Sequence, residues 1–522
     1  MKNQYLILLF INIYLLHLSV CSLSALKNAS NKHKNVLFIM VDDLRPAFRA
    51  IGDKNAITPN IDKLIQKSFY FTNTFAQQSL CAPSRNSILT SRRPDTLKLY
   101  DFYSYWRAEV GNFTTLPQYF KENGYFTYSI GKVFHPGASS NFTDDFPASW
   151  SLPTFHGKAE EFINSPICID PLTAKLTNNL LCPIDLNLIP YQTLPDIEST
   201  NHGIKILHQA YRNATPFFIA IGYHKPHIPF MFPYQYLQYH DISKFNHPTD
   251  YFKSHDLPAV AWAPFNDLRK RHDVKSLNVS FPFGSFGQEF AMRIRQHYYA
   301  SVTYIDDLIG KLFKKVDFEN TVIVLVSDHG WSLGENAEWA KYTNFDVTLK
   351  VPLVIYDPEY SQERHVNGRQ INEIVELVDV FPSIAELAGL PEVQTCLNEN
   401  EKICSQGKSL VNLMKGKIKP SEFNAFSQYP RPGTYPSKYP NSDEPKLKDI
   451  QIMGYTIRTR QLRYTAWIPF DNENFKGDWS EILAEELYDH IFDDHEKINL
   501  SNRPEFFQIK RELFKKLEQK NN

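Results

Sequence analysis

The chain has 522 residues, of which 43% are hydrophobic and 22% are charged, enough for one large globular domain and at least one smaller unit. Its formal net charge is −1, so no general basic field exists, which argues against nucleic-acid binding as a main role. A polyanionic substrate could be held only by a local cluster of cations.

The N-terminus has the pattern of a secretory signal peptide. One lysine precedes an apolar run over residues 5–20, and small residues follow over residues 21–25. We predict a signal peptide at residues 1–25 that is removed on secretion. The alternative, a retained signal anchor, is disfavoured because the run is short for a membrane span. No second apolar run is long enough, so we expect no membrane span in the mature chain.

Continuous apolar runs then alternate with helical patterns. Buried strands are predicted at residues 35–41, 216–223 and 320–327 and in the stretch VPLVIY. Helices are predicted in TPNIDKLIQKS, SILTSR, TLPQYFKENGY and VELVDVFPSIAELAGLP and over about 288–315. This alternation predicts an α/β fold with a mainly parallel sheet covered by helices on both faces.

The composition changes at residues 429–448, which form a proline-rich connector. Two runs with β character, IMGYTIRT and RYTAWIPF, follow it, and a last helix is predicted from about Pro504. We therefore predict a main domain at residues 26–435 and a small α+β C-terminal subdomain at residues 436–522.

Secretion would place the six cysteines in an oxidising compartment. Cys21 would leave with the signal peptide. Two local disulfides are predicted from the spacing, Cys168 with Cys182 and Cys396 with Cys404. Cys81 is then left without a partner.

Six Asn-x-Ser/Thr sequons fit passage through the secretory pathway. We expect glycosylation at three of them: Asn112, Asn141 and Asn278.

Acidic residues directly follow two of the predicted strands. Asp42 and Asp43 follow the first, and Asp328 and His329 follow another. Either pair alone would be read as a solvated turn. Because ligands bind at the carboxyl ends of strands in parallel sheets, two adjacent ends would gather three carboxylates in a small space. A divalent cation would remove their repulsion, and a mainly oxygen ligand set favours Ca²⁺ or Mg²⁺ over zinc.

Cys81 lies in the stretch SLCAPSRNSILTSRRPDT, residues 79–96, at the predicted start of a helix. Arg85 lies one turn further on. A thiol at a helix N-terminus beside an arginine would have a lowered pKa. The alternative is a free, buried structural cysteine.

The pattern Cys-x-Pro-Ser-Arg is more specific than a lone cysteine and resembles the signature of the type I sulfatases. In that family the formylglycine-generating enzyme oxidises the cysteine to formylglycine, an aldehyde that hydrates to a gem-diol. Further stretches resemble the same family from about residue 35 to the end of the chain: LYDFYSYWR, GKVFHPG, LLCPIDLN, TLPDIEST, GYHKPHIPF, SDHGWSLGE, EWAKYTNFDV, SQYPRPG and MGYTIRT.

The resemblance implies an alkaline-phosphatase-like fold, with residues 26–435 as the catalytic sulfatase domain and one bound Ca²⁺. It implies a lysosomal enzyme that is delivered by the secretory pathway, with a secreted fraction, and whose partner is a sulfated glycosaminoglycan. The closest stretches match members that act as exosulfatases on the 2-O-sulfate of terminal L-iduronate in heparan sulfate and dermatan sulfate. Proteolytic cleavage, as in the family, would fall in the connector.

Site residues are carried over from the family by position. The implied metal ligands are Asp42, Asp43, Asp328, His329 and the hydrated aldehyde of Cys81. The implied residues around the aldehyde and the sulfate are Arg85, Lys132, His135, His227 and Lys341. In the implied reaction an aldehyde-hydrate oxygen attacks sulfur, His227 or a lysine protonates the departing sugar oxygen, and His135 takes the proton that lets the sulfate leave. His224 is left as an ordinary histidine.

The chain departs from the family pattern at two positions. Ser91 stands where the signature has glycine, and Asn336 stands where many members have histidine, so Asn336 is not counted as catalytic. The competing hypotheses are a sulfatase for another glycosaminoglycan sulfate ester, a catalytically inactive binder of sulfated glycans, and a phosphoesterase of the same superfold. The last would carry two zinc ions and more histidine ligands.

Overall fold

A computed structural model describes residues 33–170, 173–248, 252–363, 368–398, 400–417 and 423–521. The predicted signal peptide at residues 1–25 lies outside the described residues. Across the described ranges, no helix has both the length and the apolar character that a membrane span requires.

Strands and helices alternate along most of the described chain. The strands are β1 Asn35–Val41, β2 Phe69–Phe75, β3 Phe126–Gly131, β4 Cys168–Ile169, β5 Leu176–Thr177, β6 Leu181–Ile184, β7 Phe217–Tyr223, β8 Phe230–Pro233, β9 Thr321–Ser327, β10 Ser332–Leu333, β11 Trp339–Ala340, β12 Lys350–Tyr356, β13 Arg369–Glu376, β14 Ala425–Arg431, β15 Ile452–Arg458, β16 Leu462–Asp471, β17 Lys476–Gly477 and β18 Ala484–Asp489. The α-helices are α1 Pro59–Ile65, α2 Cys81–Thr90, α3 Pro94–Leu97, α4 Trp106–Glu109, α5 Leu116–Glu122, α6 Pro195–Ala210, α7 Asn266–Arg269, α8 His272–Lys275, α9 Gln288–Phe313, α10 Asp346–Leu349, α11 Pro358–Glu363, α12 Val380–Leu387, α13 Val411–Met414 and α14 Phe507–Asn521.

The central sheet has the strand order β13-β2-β12-β9-β1-β7-β3. Strand β12 pairs antiparallel with both neighbours, and every other pairing is parallel. Strands β1, β7 and β9 are buried along their whole length, as expected for continuous apolar runs in a sheet covered on both faces. The predicted α/β fold with a mainly parallel, helix-covered sheet is confirmed.

Apolar side chains from alternate positions of the central strands form two separate cores. Leu37 and Ile39 of β1 belong to one core, and Val36 and Phe38 belong to the other. Helices α6 and α9 pack over the first face, and α2, α5 and α12 pack over the second. This division follows from the twofold side-chain period of a strand.

One predicted helix begins too early. The stretch VELVDVFPSIAELAGLP was assigned to a helix from Val375, but Val375 and Glu376 are the last residues of β13, and α12 begins at Val380. Short apolar runs fit either a helix or a strand. Val375 pairs with Thr74 of β2, which places Val375 in a strand rather than in the helix.

The C-terminal part forms an antiparallel sheet, β14-β15-β16-β17, with β18 on the other edge of β16. Helix α14 covers one face with Leu513 and Leu517. Strand β14 pairs with β15 over seven residues, although it ends before the predicted boundary at 435/436 and includes the first three residues of the connector. The small α+β subdomain therefore includes a strand from the preceding part of the chain.

Both predicted disulfides are formed, Cys168–Cys182 and Cys396–Cys404. Cys81 is a buried free cysteine. The spacing argument therefore gave the correct pairing and left the correct residue unpaired.

Candidate active site

The acidic strand ends predicted from the sequence are adjacent in the structure. Strands β1 and β9 are parallel neighbours, and Val41 lies opposite Ser327 in their register. Asp42 and Asp328 therefore leave the sheet side by side, followed by Asp43 and His329. All four are fully buried.

The next two strands add cations and histidines to the same edge of the sheet. Strand β7 pairs with β1 and leads into residues 224–227, and β3 pairs with β7 and leads into Lys132. Lys132 Nζ lies 2.5 Å from Asp42 Oδ2. Four neighbouring parallel strands thus direct their carboxyl ends at one small volume, the usual position of a ligand site in such sheets.

Cys81 is the first residue of α2 and is 1% exposed. Its Sγ lies 3.0 Å from Lys341 Nζ, 3.3 Å from His329 Nε2 and 3.5 Å from Asp42 Oδ1. Lys132 Nζ is 3.8 Å away. The structure therefore brings together this cysteine, both strand ends and both of the lysines that were carried over from the family.

The predicted lowering of the Cys81 pKa is wrong. Burial raises the pKa of this thiol, and the Asp42 carboxylate adds to the effect, while Lys132 and Lys341 oppose it. Desolvation of the thiolate outweighs the helix N-terminus and the cations. An unmodified thiol at this position is protonated at neutral pH and is therefore a weak nucleophile.

Arg85 forms ion pairs with the carboxylates at both acidic strand ends. Its Nε lies 2.8 Å from Asp328 Oδ2 and its Nη2 lies 3.0 Å from Asp42 Oδ1, and all three side chains are inaccessible to solvent. Nη1 donates to the backbone carbonyls of Lys132 and Val133. Burial alone would raise the pKa of Asp42, but Lys132 and Arg85 hold it well below its usual value. Arg85 is therefore a positioning residue for the carboxylates.

Asp43 has a buried carboxylate oxygen that could bind a cation. Its Oδ1 lies 2.8 Å from Lys341 Nζ, but its buried Oδ2 has no hydrogen-bond partner within the part of the chain that the structure describes. Burial raises the pKa of Asp43 to about 8, with the charges of Asp42 and Asp328 adding to it against the opposing Lys341. A buried carboxylate without full compensation is costly, so a cation at Oδ2 would be stabilising.

The side chains around that oxygen fit a divalent ion. One ligand atom from each of Asp42, Asp43, Cys81 and His329 lies within 4.8 Å of all the others. His329 Nδ1 donates to the Gly330 carbonyl at 3.0 Å, which leaves the Nε2 lone pair facing the cluster. Burial lowers the pKa of His329 to about 4, so its ring is neutral, as a ligand must be.

Asp328 lies beside this group of four rather than within it. Its Oδ2 accepts from Arg85, and its Oδ1 accepts from the backbone N–H of His329 at 3.0 Å and of Asp43 at 3.2 Å. Its assignment as a metal ligand stays a prediction.

His227 and His135 lie at the rim of the cluster. His227 Nδ1 donates to the Ile228 carbonyl at 2.7 Å, and its Nε2 lies 3.9 Å from Asp43 Oδ2. The His135 ring is 4.4 Å from the Phe102 ring, centroid to centroid, and its Nδ1 is 3.5 Å from Ser139 Oγ. Burial, followed by the charge of Lys132 for His135, lowers the pKa of both rings well below the usual value, so both are neutral.

His224 belongs to a separate polar chain. Its Nε2 lies 3.3 Å from Glu160 Oε1, and Glu160 Oε2 lies 2.9 Å from His156 Nδ1. His156 Nε2 is in turn 2.5 Å from Asp144 Oδ2. This arrangement agrees with leaving His224 outside the catalytic set.

Two positioning residues were not found from the sequence. Asp196, in the first turn of α6, accepts the backbone N–H of His224 at 2.7 Å and of Lys225 at 3.1 Å, which fixes the loop that carries His227. Tyr298 of α9 donates to the Asp43 carbonyl at 2.8 Å, where the Asp43 backbone is in the left-handed region with φ 57°. The quoted stretch TLPDIEST contained Asp196, but a carboxylate that binds backbone leaves no pattern of spacing.

The side chains of Ser91 and Asn336, the two departures from the family pattern, both form hydrogen bonds. Ser91 ends α2 with φ 53°, a conformation that glycine adopts most easily, and its hydroxyl lies 2.6 Å from Ser405 Oγ and donates to the Val378 carbonyl. Asn336 donates to the His495 carbonyl at 3.0 Å.

The three expected glycosylation positions, Asn112, Asn141 and Asn278, are exposed. Asn499, in another sequon, is 8% exposed, and its Nδ2 donates to the Asp256 and Glu485 carbonyls. An oligosaccharide on Asn499 would have to displace these bonds.

The chain is similar in sequence and in fold to several known proteins. The sequence model of the family described as Sulfatase matches residues 34–390. The chain is 44% identical over 520 residues to iduronate 2-sulfatase of Homo sapiens, covering 92% of this chain and 94% of that protein. It is 45% identical over 496 residues to iduronate 2-sulfatase of Mus musculus, covering 88% and 89%. A phosphonate monoester hydrolase of Agrobacterium radiobacter shares the fold with a TM-score of 0.66 at 20% identity, covering 93% of this chain and 95% of that one.

Proposed function

This chain belongs to the sulfatase family, and from that premise we propose that it removes the 2-O-sulfate from terminal L-iduronate in heparan sulfate and dermatan sulfate. The observation that carries the proposal is the position of Cys81. It lies at the start of α2, in contact with Lys341, His329 and Asp42 at the carboxyl ends of β1 and β9. The iduronate specificity rests on the identity to the two iduronate 2-sulfatases.

Asp42, Asp43, His329 and the modified Cys81, with Asp328 beside them, would hold one Ca²⁺. Carboxylate oxygens dominate this donor set, which is the chemistry that Ca²⁺ prefers. When bound, the ion would offset the repulsion between the carboxylates and withdraw electron density from sulfate oxygens. The unpartnered Asp43 Oδ2 supports an ion at this position.

Oxidation of Cys81 to formylglycine would supply a hydrated aldehyde with two hydroxyl groups on one carbon, one to attack sulfur and one to release the sulfate afterwards. The raised pKa of the unmodified thiol argues against the thiol itself as the nucleophile, because a protonated thiol attacks weakly. The formylglycine-generating enzyme would act during maturation.

Lys341 and Lys132 would bind the sulfate group. Both ammonium groups face Cys81 Sγ, and both are already paired with carboxylates, Lys341 with Asp43 and Lys132 with Asp42. Each would therefore be held in place before substrate arrives, so little reorganisation is needed as charge develops in the transition state. Arg85 would keep Asp42 ionised and would hold Asp42 and Asp328 in position.

His227 would protonate the departing sugar oxygen. Its Nδ1 is committed to the Ile228 carbonyl, so only Nε2 faces the cluster, and this atom carries a proton only in the imidazolium form. The negative charge of a bound sulfate would favour that form. His135, neutral and buried, would accept the proton in the second half of the reaction.

The predicted domain division, with a signal peptide at 1–25, a catalytic domain at 26–435 and a C-terminal subdomain at 436–522, belongs to the same proposal. Secretory passage is supported by the two disulfides and by exposed asparagines in three sequons. We propose the lysosome as the destination, with a secreted fraction, and a sulfated glycosaminoglycan as the substrate partner.

The function can be tested with chain secreted from cells that contain the formylglycine-generating enzyme. We expect sulfate release from a disaccharide that ends in 2-O-sulfated iduronate, and none from disaccharides that end in 6-O-sulfated or N-sulfated glucosamine. Mass spectrometry of the Cys81 peptide should show formylglycine. Release from glucosamine esters alone would indicate a different glycosaminoglycan sulfatase, and an unmodified thiol without activity would indicate an inactive binder. Metal analysis should give one calcium rather than two zinc ions.

A further inference from the structure

Residues 266–275 and part of the connector form a basic groove, although the whole chain has a net charge of −1. It has a volume of about 710 Å³ and is lined by residues from 266–275, from the connector at 438–449 and by Tyr103. Six of its thirteen lining residues are cationic and two are acidic. The cationic residues of this basic groove are Arg269, Lys270, Lys275, Lys438, Lys446 and Lys448.

The five lysines of the basic groove are exposed, and none forms an ion pair with a carboxylate in the described ranges. Two of them lie over aromatic rings instead, Lys438 Nζ at 4.9 Å from the Phe281 centroid and Lys446 Nζ at 5.3 Å from the Tyr103 centroid. Arg269 differs, because its guanidinium donates to backbone carbonyls of Pro264 and Val279 and so holds the groove wall. The lysines are therefore available to a ligand.

The basic groove is linked to the catalytic cluster through Tyr342. Tyr342 directly follows Lys341, and its hydroxyl lies 2.9 Å from Oε1 of Glu444, which lines the groove. On the other side, Tyr103 directly follows Phe102, the residue that stacks on His135. The basic groove and the catalytic cluster are thus linked through two short series of contacts, one at Lys341 and one at His135.

We propose that the basic groove binds the following sugars of the same sulfated glycosaminoglycan chain whose terminal residue is processed at Cys81. This inference rests on the proposed function. Each disaccharide of such a chain carries carboxylate or sulfate groups, and several separated lysines complement an extended, repeating anion. Tyr439 and Tyr103 are 94% and 54% exposed, which offers ring faces to the sugars. The occupant is the substrate chain and not a nucleic acid, since the groove is linked by contacts to the cluster around Cys81 and the chain as a whole has no general basic field.

The test compares a short and a long substrate in matched variants. The groove variant is Lys270→Gln/Lys438→Gln/Lys446→Gln. The control is Lys311→Gln/Lys314→Gln/Lys315→Gln, at the end of α9 and before β9, which is the opposite edge of the sheet from the site. Both remove three exposed positive charges. Substrates are a disaccharide and a long heparan sulfate chain with the same 2-O-sulfated iduronate end.

For the long chain we expect the groove variant to raise KM about tenfold at physiological salt, because each exposed ion pair contributes about 1.5- to 5-fold. We expect its KM for the disaccharide, and both KM values of the control, to stay within about twofold of the parent. High salt should shrink the difference, because it screens exposed charges. A parent-like KM for the long chain, or an equal rise for both substrates, would overturn the proposal.

Binding of a long chain that lacks the terminal sulfate separates this inference from the proposed function. If the parent protein turns over neither substrate, the proposed function fails, but the groove is still supported when the groove variant binds this chain about tenfold more weakly than the control. Equal binding by both variants would reject the groove. Stronger parent binding to single-stranded DNA than to the glycan would likewise reject the assigned occupant.

Discussion

Replacing Arg85 by glutamine should cost about 3–5 kcal/mol of folding free energy, the usual range when one member of a buried ion pair is removed. Its guanidinium lies 2.8 Å from Asp328 and 3.0 Å from Asp42 with no solvent access. At an effective dielectric constant of about 20, each contact is worth about 5 to 6 kcal/mol before desolvation. Burying the guanidinium cancels much of this, but its removal leaves two carboxylates with less compensation.

Urea unfolding followed by tryptophan fluorescence would measure the loss. Arg49→Gln is the control, because Arg49 is exposed and its Nη1 donates only to the Lys54 carbonyl among the described contacts, so its loss should stay within about 0.5 kcal/mol. The loss of folding free energy in Arg85→Gln should be larger in EDTA than in saturating calcium. A bound cation would offset the repulsion between the Asp42 and Asp328 carboxylates that Arg85 no longer neutralises. A loss below about 1 kcal/mol, or one independent of calcium, would refute the proposed role of Arg85.

Three further predictions concern the reaction and the polar chain beside it. Lys341→Ala should lower kcat/KM about 100-fold or more, as for loss of one transition-state donor; steady-state kinetics showing less than about a threefold loss would remove Lys341 from the site. Cys81→Ser should release at most one equivalent of desulfated sugar and retain sulfate as a serine ester, visible by mass spectrometry, whereas full steady turnover would refute the aldehyde. His156→Gln should destabilise the fold by about 1–2 kcal/mol at pH 5.5 and by less at pH 9.5, measured by urea unfolding at both pH values, and an equal loss at both would contradict the ion-pair assignment.

The sign of the His156 prediction follows from two opposite pKa shifts. Burial alone would lower the pKa of His156, but hydrogen bonds to Asp144 and Glu160 raise it to about 10, so its contribution is complete below pH 6.5 and is lost as the pH rises towards 10. Burial alone would raise the pKa of Glu160, but hydrogen bonds with His156 and His224 lower it to about 2, so its contribution is complete above pH 4.5 and is lost as the pH falls towards 2. The pair is most stabilising between about pH 4.5 and 6.5.

The parts of this fold that were predictable are those where burial alone determines the structure. The runs at β1, β7 and β9 are buried at every position and almost wholly apolar between their end residues, which is typical of strands covered on both faces. The acids that follow β1 and β9 had to share one edge of the sheet. Strand β13 could not be separated from α12 in the same way, because exposed and buried residues mix along it.

Details of the site that depend on contacts between residues far apart in the sequence were harder to predict. The direction of the Cys81 pKa depends on complete burial, which a helix-start pattern does not report. Lys341 reaches Sγ only because the β10–β11 hairpin returns the chain to the end of β9. The basic groove combines segments more than 160 positions apart, so only the tertiary fold brings their lysines together.

The position of β14 has a consequence for any protease that attacks the connector. Strand β14 ends at Arg431, near the start of the connector, and β15 begins after the connector, yet the two are paired from Ala425 with Arg458 to Arg431 with Ile452. Cleavage of the chain between them would yield two polypeptides that stay associated through the shared sheet. The smaller polypeptide could dissociate only if the pairing of β14 with β15 were broken. A cleaved form should thus migrate as two bands under denaturing conditions and as one species in its native state.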